Sequence, residues 1–182
     1  MVSFASLTSA RTYMSLGVFI SHSVGGVELP IVRRISASLS GAGVTPYLAM
    51  DDRQVGTKLT TKVQQHIEES DVLLALLTTK GTESDWVHDE IGFALGKGRK
   101  VLPFVEKGVD VGGMLAGVEY YEFDPESPQA AIDRVAHDLL IQSARKDMES
   151  ATKETRDAAT LVFIVLLVVL AIVLVVFLAS SG

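Results

Sequence analysis

VLLALL, residues 72 to 77, is apolar at every position. A strand with one face in water alternates apolar and polar side chains, because successive residues point to opposite faces. Six apolar residues in succession therefore describe a strand covered on both sides, as the central strand of a parallel sheet is. Toward the N-terminus lies a helical pattern with Leu59, Val63 and Ile67 on one side, then the polar loop DDRQVGTK (51 to 58) and the strand VTPYLAM (44 to 50). Further back, GVFIS (17 to 21) reads as the first strand. Pro30 fits the first turn of a helix whose Ile31, Ile35 and Leu39 share a face before Gly41 and Gly43 end it.

Toward the C-terminus, SDWVHDEIGFALGKGRKVLPF (84 to 104) reads as a helix running into a strand. Ser84 is placed to cap the helix, and Gly96 and Gly98 are placed to end it before the apolar run 101 to 105. A Gly-containing connection and a short strand near Tyr120 to Phe123 follow. Ser127 and Pro128 then open a helix with Ile132, Val135 and Leu139 on its inner face. Such alternation of strand and helix predicts a doubly wound α/β domain of about 125 residues, with a parallel sheet covered on both faces.

The last quarter of the chain has a different character. LVFIVLLVVLAIVLVVFLA, residues 161 to 179, holds no charged or hydrogen-bonding side chain. Nineteen residues at about 1.5 Å each span roughly 29 Å, close to the hydrocarbon thickness of a bilayer. The reading is one C-terminal transmembrane helix over 159–179. Arg145, Lys146, Lys153 and Arg156 precede it and only the tail 180–182 follows, which predicts a single-pass membrane protein with its N-terminal domain cytoplasmic. No Gly or Pro interrupts residues 129 to 181, so one helix is expected to continue through a polar stalk, 142–158, into the span. Residues 1–15 are read as a disordered N-terminal extension; they lack the apolar core of a secretory signal.

Composition excludes several classes of function. The chain has no cysteine, so it has neither disulfides nor thiolate metal ligands, and no metal site is expected. Its formal charge is −6, which argues against nucleic acid as a partner. Segment 142 to 157 balances four bases with four acids and so makes no polybasic lipid collar. After the first strand the chain reads SHSVGGVELP, without the three-glycine dinucleotide fingerprint, and GTK at 56 to 58 inverts the order a phosphate-binding P-loop requires. There is no GxSxG elbow, and His22, His66, His88 and His137 show no HExxH spacing.

In an open parallel sheet, ligands sit outside the carboxyl ends of the strands. Those ends carry Ser21, His22 and Ser23; Asp51, Asp52 and Arg53; Thr78, Thr79 and Lys80; and Glu106. Loop residues are commonly polar, so none of these is decisive alone. Glu90 is different. It falls four residues after Trp86 and four before Ala94, on an apolar helix stripe, where an ionised group is costly unless it is paired or faces a cleft.

The order VFISHS, DDRQVG, VQQHIEESDVLLALLT and SDWVHDEIGFALGKGRKVLPF resembles a TIR (Toll/interleukin receptor) domain of the prokaryotic, NAD-cleaving kind, over about residues 16–141. The W-x-x-x-E pattern of Trp86 and Glu90, just after Ser84, carries most of the resemblance. It implies a flavodoxin-like, doubly wound parallel five-stranded sheet. It further implies NAD as substrate, with no cofactor, cleaved at the nicotinamide glycosidic bond with Glu90 as the catalytic residue. Ser21, His22, Asp51, Arg53, Gly56, Ser84 and Trp86 are the substrate-binding residues it implies. His22 would bind rather than catalyse; Trp86 is read either as an apolar wall of the site or as core packing.

The chemistry fits one carboxylate. Breaking the nicotinamide–ribose bond builds oxocarbenium-like charge on the sugar, which a fixed carboxylate stabilises. Nicotinamide leaves as a neutral molecule from a pyridinium, so no second acid is needed to protonate it. Three functions follow as expectations. The first is a membrane-anchored NAD glycohydrolase or ADP-ribose cyclase in prokaryotic antiphage defence. The second is a non-catalytic module that signals by self-association through TIR domains, for which the loop 51 to 58 resembles an assembly loop. The third is a membrane-disrupting effector, which a span without a polar face or GxxxG supports poorly.

Overall fold

A computed structural model describes residues 15–23, 28–48, 61–79 and 84–180, the last thirteen of these by their backbone alone. Five strands and four α-helices alternate along it: β1 Gly17–Ser21, α1 Leu29–Gly41, β2 Thr45–Leu48, α2 Thr61–Glu69, β3 Val72–Leu77, α3 Asp85–Gly96, β4 Lys100–Glu106, β5 Tyr121–Phe123 and α4 Gln129–Ser180. A short 3-10 turn at Gly113–Leu115 interrupts the β4–β5 connection. The sheet is parallel in the order β2-β1-β3-β4-β5, which is the flavodoxin-like order. Two compact units divide the chain, one ending at Ser143 and the other beginning at Ala144.

β3 is the central strand and is buried at all six positions. Val72, Leu74 and Leu76 join a core cluster with Val32, Ile35 and Leu39 of α1 and Ile132, Val135 and Leu139 of α4. Leu73, Ala75 and Leu77 face the other way, into a cluster with Val63 and Ile67 of α2 and Val87, Ile91 and Ala94 of α3. Both faces are therefore covered, which is why the strand shows no alternation. The inner face of α1 carries Ile35 and Leu39 as the sequence reading has it, and differs only at its first residue. Val32, not Ile31, is buried with Ile35 and Leu39, while Ile31 is half-buried at the margin of the cluster.

The helices end where glycine permits a left-handed turn. Gly43 has φ +73° just past α1, and Gly98 has φ +67° just past α3. Ser84 is the N-cap residue of α3 as expected, but its side chain makes no capping hydrogen bond. Its carbonyl is used instead, accepting from the His88 backbone N–H at 3.3 Å and from His88 Nδ1 at 3.1 Å.

α4 is continuous from Gln129 to Ser180, as the absence of Gly and Pro predicts. From Leu161 to Leu167 every side chain is at least 49% exposed. Among the described residues no helix is long and apolar enough to cross a membrane. The transmembrane reading of 159–179 depends on side chains beyond Leu167, which lie outside the described residues, as do 1–14, Leu59 and the end of the tail.

Candidate active site

The strand order reverses between β1 and β3, and their carboxyl ends form the crevice where doubly wound folds place ligands. Ser21 closes β1, in register with Ala75 of β3. Glu90 comes to this place from the second turn of α3, whose buried face is Val87, Glu90, Ile91 and Ala94. The spacing is helical, so the carboxylate is carried inward with the apolar residues beside it.

Glu90 is fully buried. The structure meets the cost of that burial by pairing. Trp86 Nε1–H donates to Oε1 at 2.6 Å, and the Ser21 hydroxyl donates to Oε2 at 2.5 Å. Each oxygen thus has a neutral donor aimed at it, an arrangement suited to an ionised, acceptor-only carboxylate. Two oxygens fixed by groups on different elements leave the carboxylate little rotational freedom.

Of the residues expected at the site, the structure brings together Ser21, Trp86 and Glu90. Trp86 is half-buried, and its indole N–H is a hydrogen-bond donor to Glu90, a role that the sequence reading does not include. The Ser21 hydroxyl, expected beside a ligand, is turned to Glu90. His22 is next in the chain and buried, with Nδ1–H donating to the Ser23 carbonyl at 2.7 Å. Ser84 stands at the head of α3, one turn before His88 and without a contact to Glu90 among those described. Asp51, Arg53 and Gly56 lie outside the described residues.

One buried carboxylate at this end of the sheet was not anticipated. Glu28, at the head of α1, accepts the Ser23 backbone N–H on Oε2 at 2.8 Å and the Thr78 hydroxyl on Oε1. Its signal in the sequence is an acid at the N-cap position, just before Leu29 and Pro30. The adjoining strand end is also tied, with the Thr79 N–H donating to Glu106 Oε2 at 3.0 Å. Beside the site, a cavity of about 210 Å³ is lined by His88 and Ile91 of α3, Leu77 of β3 and residues 110–115.

The family model described as the TIR domain matches residues 18–136. A comparison with curated proteins gives no match. Among solved structures, the chain is similar to the TIR domain of the Toll-related receptor TRR-2 from Hydra magnipapillata, at 15% identity and a TM-score of 0.55, covering 67% of this chain and 96% of that one. It is also similar to a metazoan TIR-STING receptor from C. gigas, solved with 2′,3′-cGAMP, at 19% identity and a TM-score of 0.53, covering 69% of this chain and 38% of that one. The RPS4 and RRS1 TIR domain heterodimer gives 15% identity and a TM-score of 0.50, covering 71% of this chain and 97% of that one. At such identities the solved structures speak to the fold.

Proposed function

The chain belongs to the TIR domain family, and from that premise we propose that it cleaves NAD at the nicotinamide glycosidic bond, as a glycohydrolase or an ADP-ribose cyclase. The observation that carries this reading is the buried, doubly hydrogen-bonded carboxylate of Glu90 at the switch point of the sheet. A carboxylate so placed is expensive to keep in a fold that could pack an apolar residue there instead.

In the proposed reaction the bond between ribose C1′ and the nicotinamide nitrogen breaks. Its electron pair leaves with nicotinamide, which departs neutral, and positive charge appears on the sugar. Glu90 stabilises that charge at a fixed distance, and the donors Ser21 and Trp86 hold it there without reorganisation at the moment of reaction. Attack at C1′ by water completes hydrolysis; attack by a nucleophile on the ligand's own base completes cyclisation. Glu90 has no exposed surface, so the reading requires the side chains covering it to part before the sugar arrives.

The reading places the domain at a membrane, anchored through residues 159–179, with its N-terminal part in the cytoplasm and antiphage signalling as its setting. Support comes from the uncharged run 161 to 179 and from the exposure of Leu161 to Leu167 around the whole helix, which suits a lipid solvent and not water. Anchoring in a plane raises the effective concentration of one domain for another. A second reading is a non-catalytic assembly module. The closed state of Glu90 favours it, and one similar structure is a TIR heterodimer.

Nicotinamide release from NAD by the full chain in liposomes, with products separated chromatographically, tests the first reading. Turnover by the wild type and none by Glu90→Gln is expected. Equal turnover by a folded Glu90→Gln variant removes Glu90 from the mechanism. No turnover by any form at high surface density leaves the assembly module.

A further inference from the structure

The cleavage scheme gives Glu28 no task, yet this carboxylate is only 4% exposed. It occupies the N-cap position of α1 but makes no side-chain capping bond to that helix. A residue selected to cap α1 would be Ser, Thr, Asp or Asn, whose short side chains reach the helix N–H groups. The longer glutamate side chain points its oxygens elsewhere, to the Ser23 N–H and the Thr78 hydroxyl. Ser23 lies two residues past Ser21, the end of β1, and Thr78 directly follows Leu77, the end of β3. One carboxylate therefore ties the carboxyl ends of two neighbouring strands to the head of α1.

We propose that Glu28 is a positioning residue for Glu90: it holds the end of β1 against the end of β3 so that the Ser21 hydroxyl stays on Glu90. The connection runs from Glu28 to Ser23, through two residues of backbone to Ser21, and from Ser21 to Glu90 and Trp86. A hydrogen bond of 2.5 Å tolerates little displacement, so a small shift of the β1 end frees one oxygen of Glu90. The kinetic part of this inference rests on the NAD reading above; the geometric part does not.

Trp86 makes the geometric part measurable, because it is the single tryptophan of the chain and its indole N–H sits on Glu90. The chain therefore gives one indole N–H resonance, which reports on the Glu90 carboxylate. In the full chain in nanodiscs, Glu28→Ala is expected to move that resonance and to speed its hydrogen exchange. Turnover of NAD is expected to show kcat lowered about tenfold with KM changed much less, the pattern of a mispositioned catalytic group. Glu28→Gln should recover most of both, since its amide accepts from Ser23 N–H and donates to the Thr78 oxygen. Glu28→Asp keeps the charge but falls a methylene short of bridging both groups, and it decides the matter where Glu28→Ala does not fold.

A role confined to stability would lower the melting temperature of these variants and leave the indole signal of the folded protein in place. A wild-type resonance and exchange rate in folded Glu28→Ala or Glu28→Asp overturns the proposal. If the wild type itself releases no nicotinamide, the NAD reading falls, while the indole measurement still decides whether Glu28 positions Glu90.

Discussion

Glu90 and Glu28 are both carboxylates buried at the carboxyl end of the same sheet, and they differ in what holds them. Among the hydrogen bonds described, Glu90 accepts from two side chains, the Trp86 indole and the Ser21 hydroxyl. Each of these donors belongs to a single side chain, so either can be removed by substitution without touching the backbone. Glu28 takes one of its bonds from a backbone N–H, which moves only if the β1–α1 connection moves with it. The first arrangement is a group kept ready, the second a brace. Burial alone does not separate them; among the described hydrogen bonds, the backbone donor to Glu28 does.

The comparison is broken most directly at Glu90. Glu90→Gln keeps the shape, and its amide can accept from Trp86 and donate to the Ser21 oxygen, so the fold should hold. The loss of charge should lower NAD turnover by at least about 10²- to 10³-fold, the size seen when one transition-state electrostatic contact is removed. Nicotinamide release and a urea unfolding curve on the same sample check both halves. Unchanged turnover would make Glu90 a brace like Glu28.

Smaller effects should follow from the donors. Ser21→Ala removes a buried hydrogen bond to a charged group, worth about 1.5–3 kcal/mol, and kcat should fall about 10- to 100-fold if that bond persists in the transition state. Trp86→Phe removes a donor at a half-buried position where water can partly replace it, so roughly 0.5–1.5 kcal/mol and no more than about tenfold in kcat are expected. Steady-state kinetics beside the unfolding midpoint separate lost positioning from lost stability. Should Ser21→Ala cost stability but no turnover, the hydroxyl supports the fold and not the reaction.

The two glutamates also differ in how far the sequence announces them. Glu90 stands out because helical periodicity puts it among apolar residues, and β3 stands out because six apolar residues exclude an exposed face. The continuity of α4 follows likewise from what is missing between residues 129 and 181. Periodicity assigns a face but not an atom, so it could not say that the Trp86 N–H and the Ser21 hydroxyl would both turn to Glu90. It also leaves the edge of a stripe open, as at Ile31 and Val32, two aliphatic neighbours of which Val32 is buried and Ile31 sits at the margin of the same cluster. Glu28 leaves only a weak trace, an acid just before Leu29 and Pro30. Its hydrogen bond from Thr78 joins residues fifty apart, and no local pattern encodes that contact.

The smallest effect is expected at the far edge of the sheet, at Tyr121, and it serves as the control on all the others. The Tyr121 hydroxyl in β5 donates to Asp138 Oδ2 of α4 at 2.8 Å. Burial, then the hydrogen bond to Asp138 and the charge of that carboxylate, push the phenol up to about 12 from 10.0. A raised value in the folded state means that folding favours the neutral phenol. Its contribution is therefore intact below pH 10 and is lost as pH rises from there through about 12. Tyr121→Phe should cost about 0.5–1 kcal/mol at neutral pH, at the low end because the residue is half-exposed, and the variant should lose the late step in the tyrosinate absorbance titration. NAD turnover should not change, since neither β5 nor Asp138 contacts the Ser21, Trp86 and Glu90 group in the hydrogen bonds described. If Tyr121→Phe lowered turnover as Ser21→Ala does, activity would be following the stability of the whole domain. The distinction between a carboxylate that reacts and one that braces would then have no kinetic meaning.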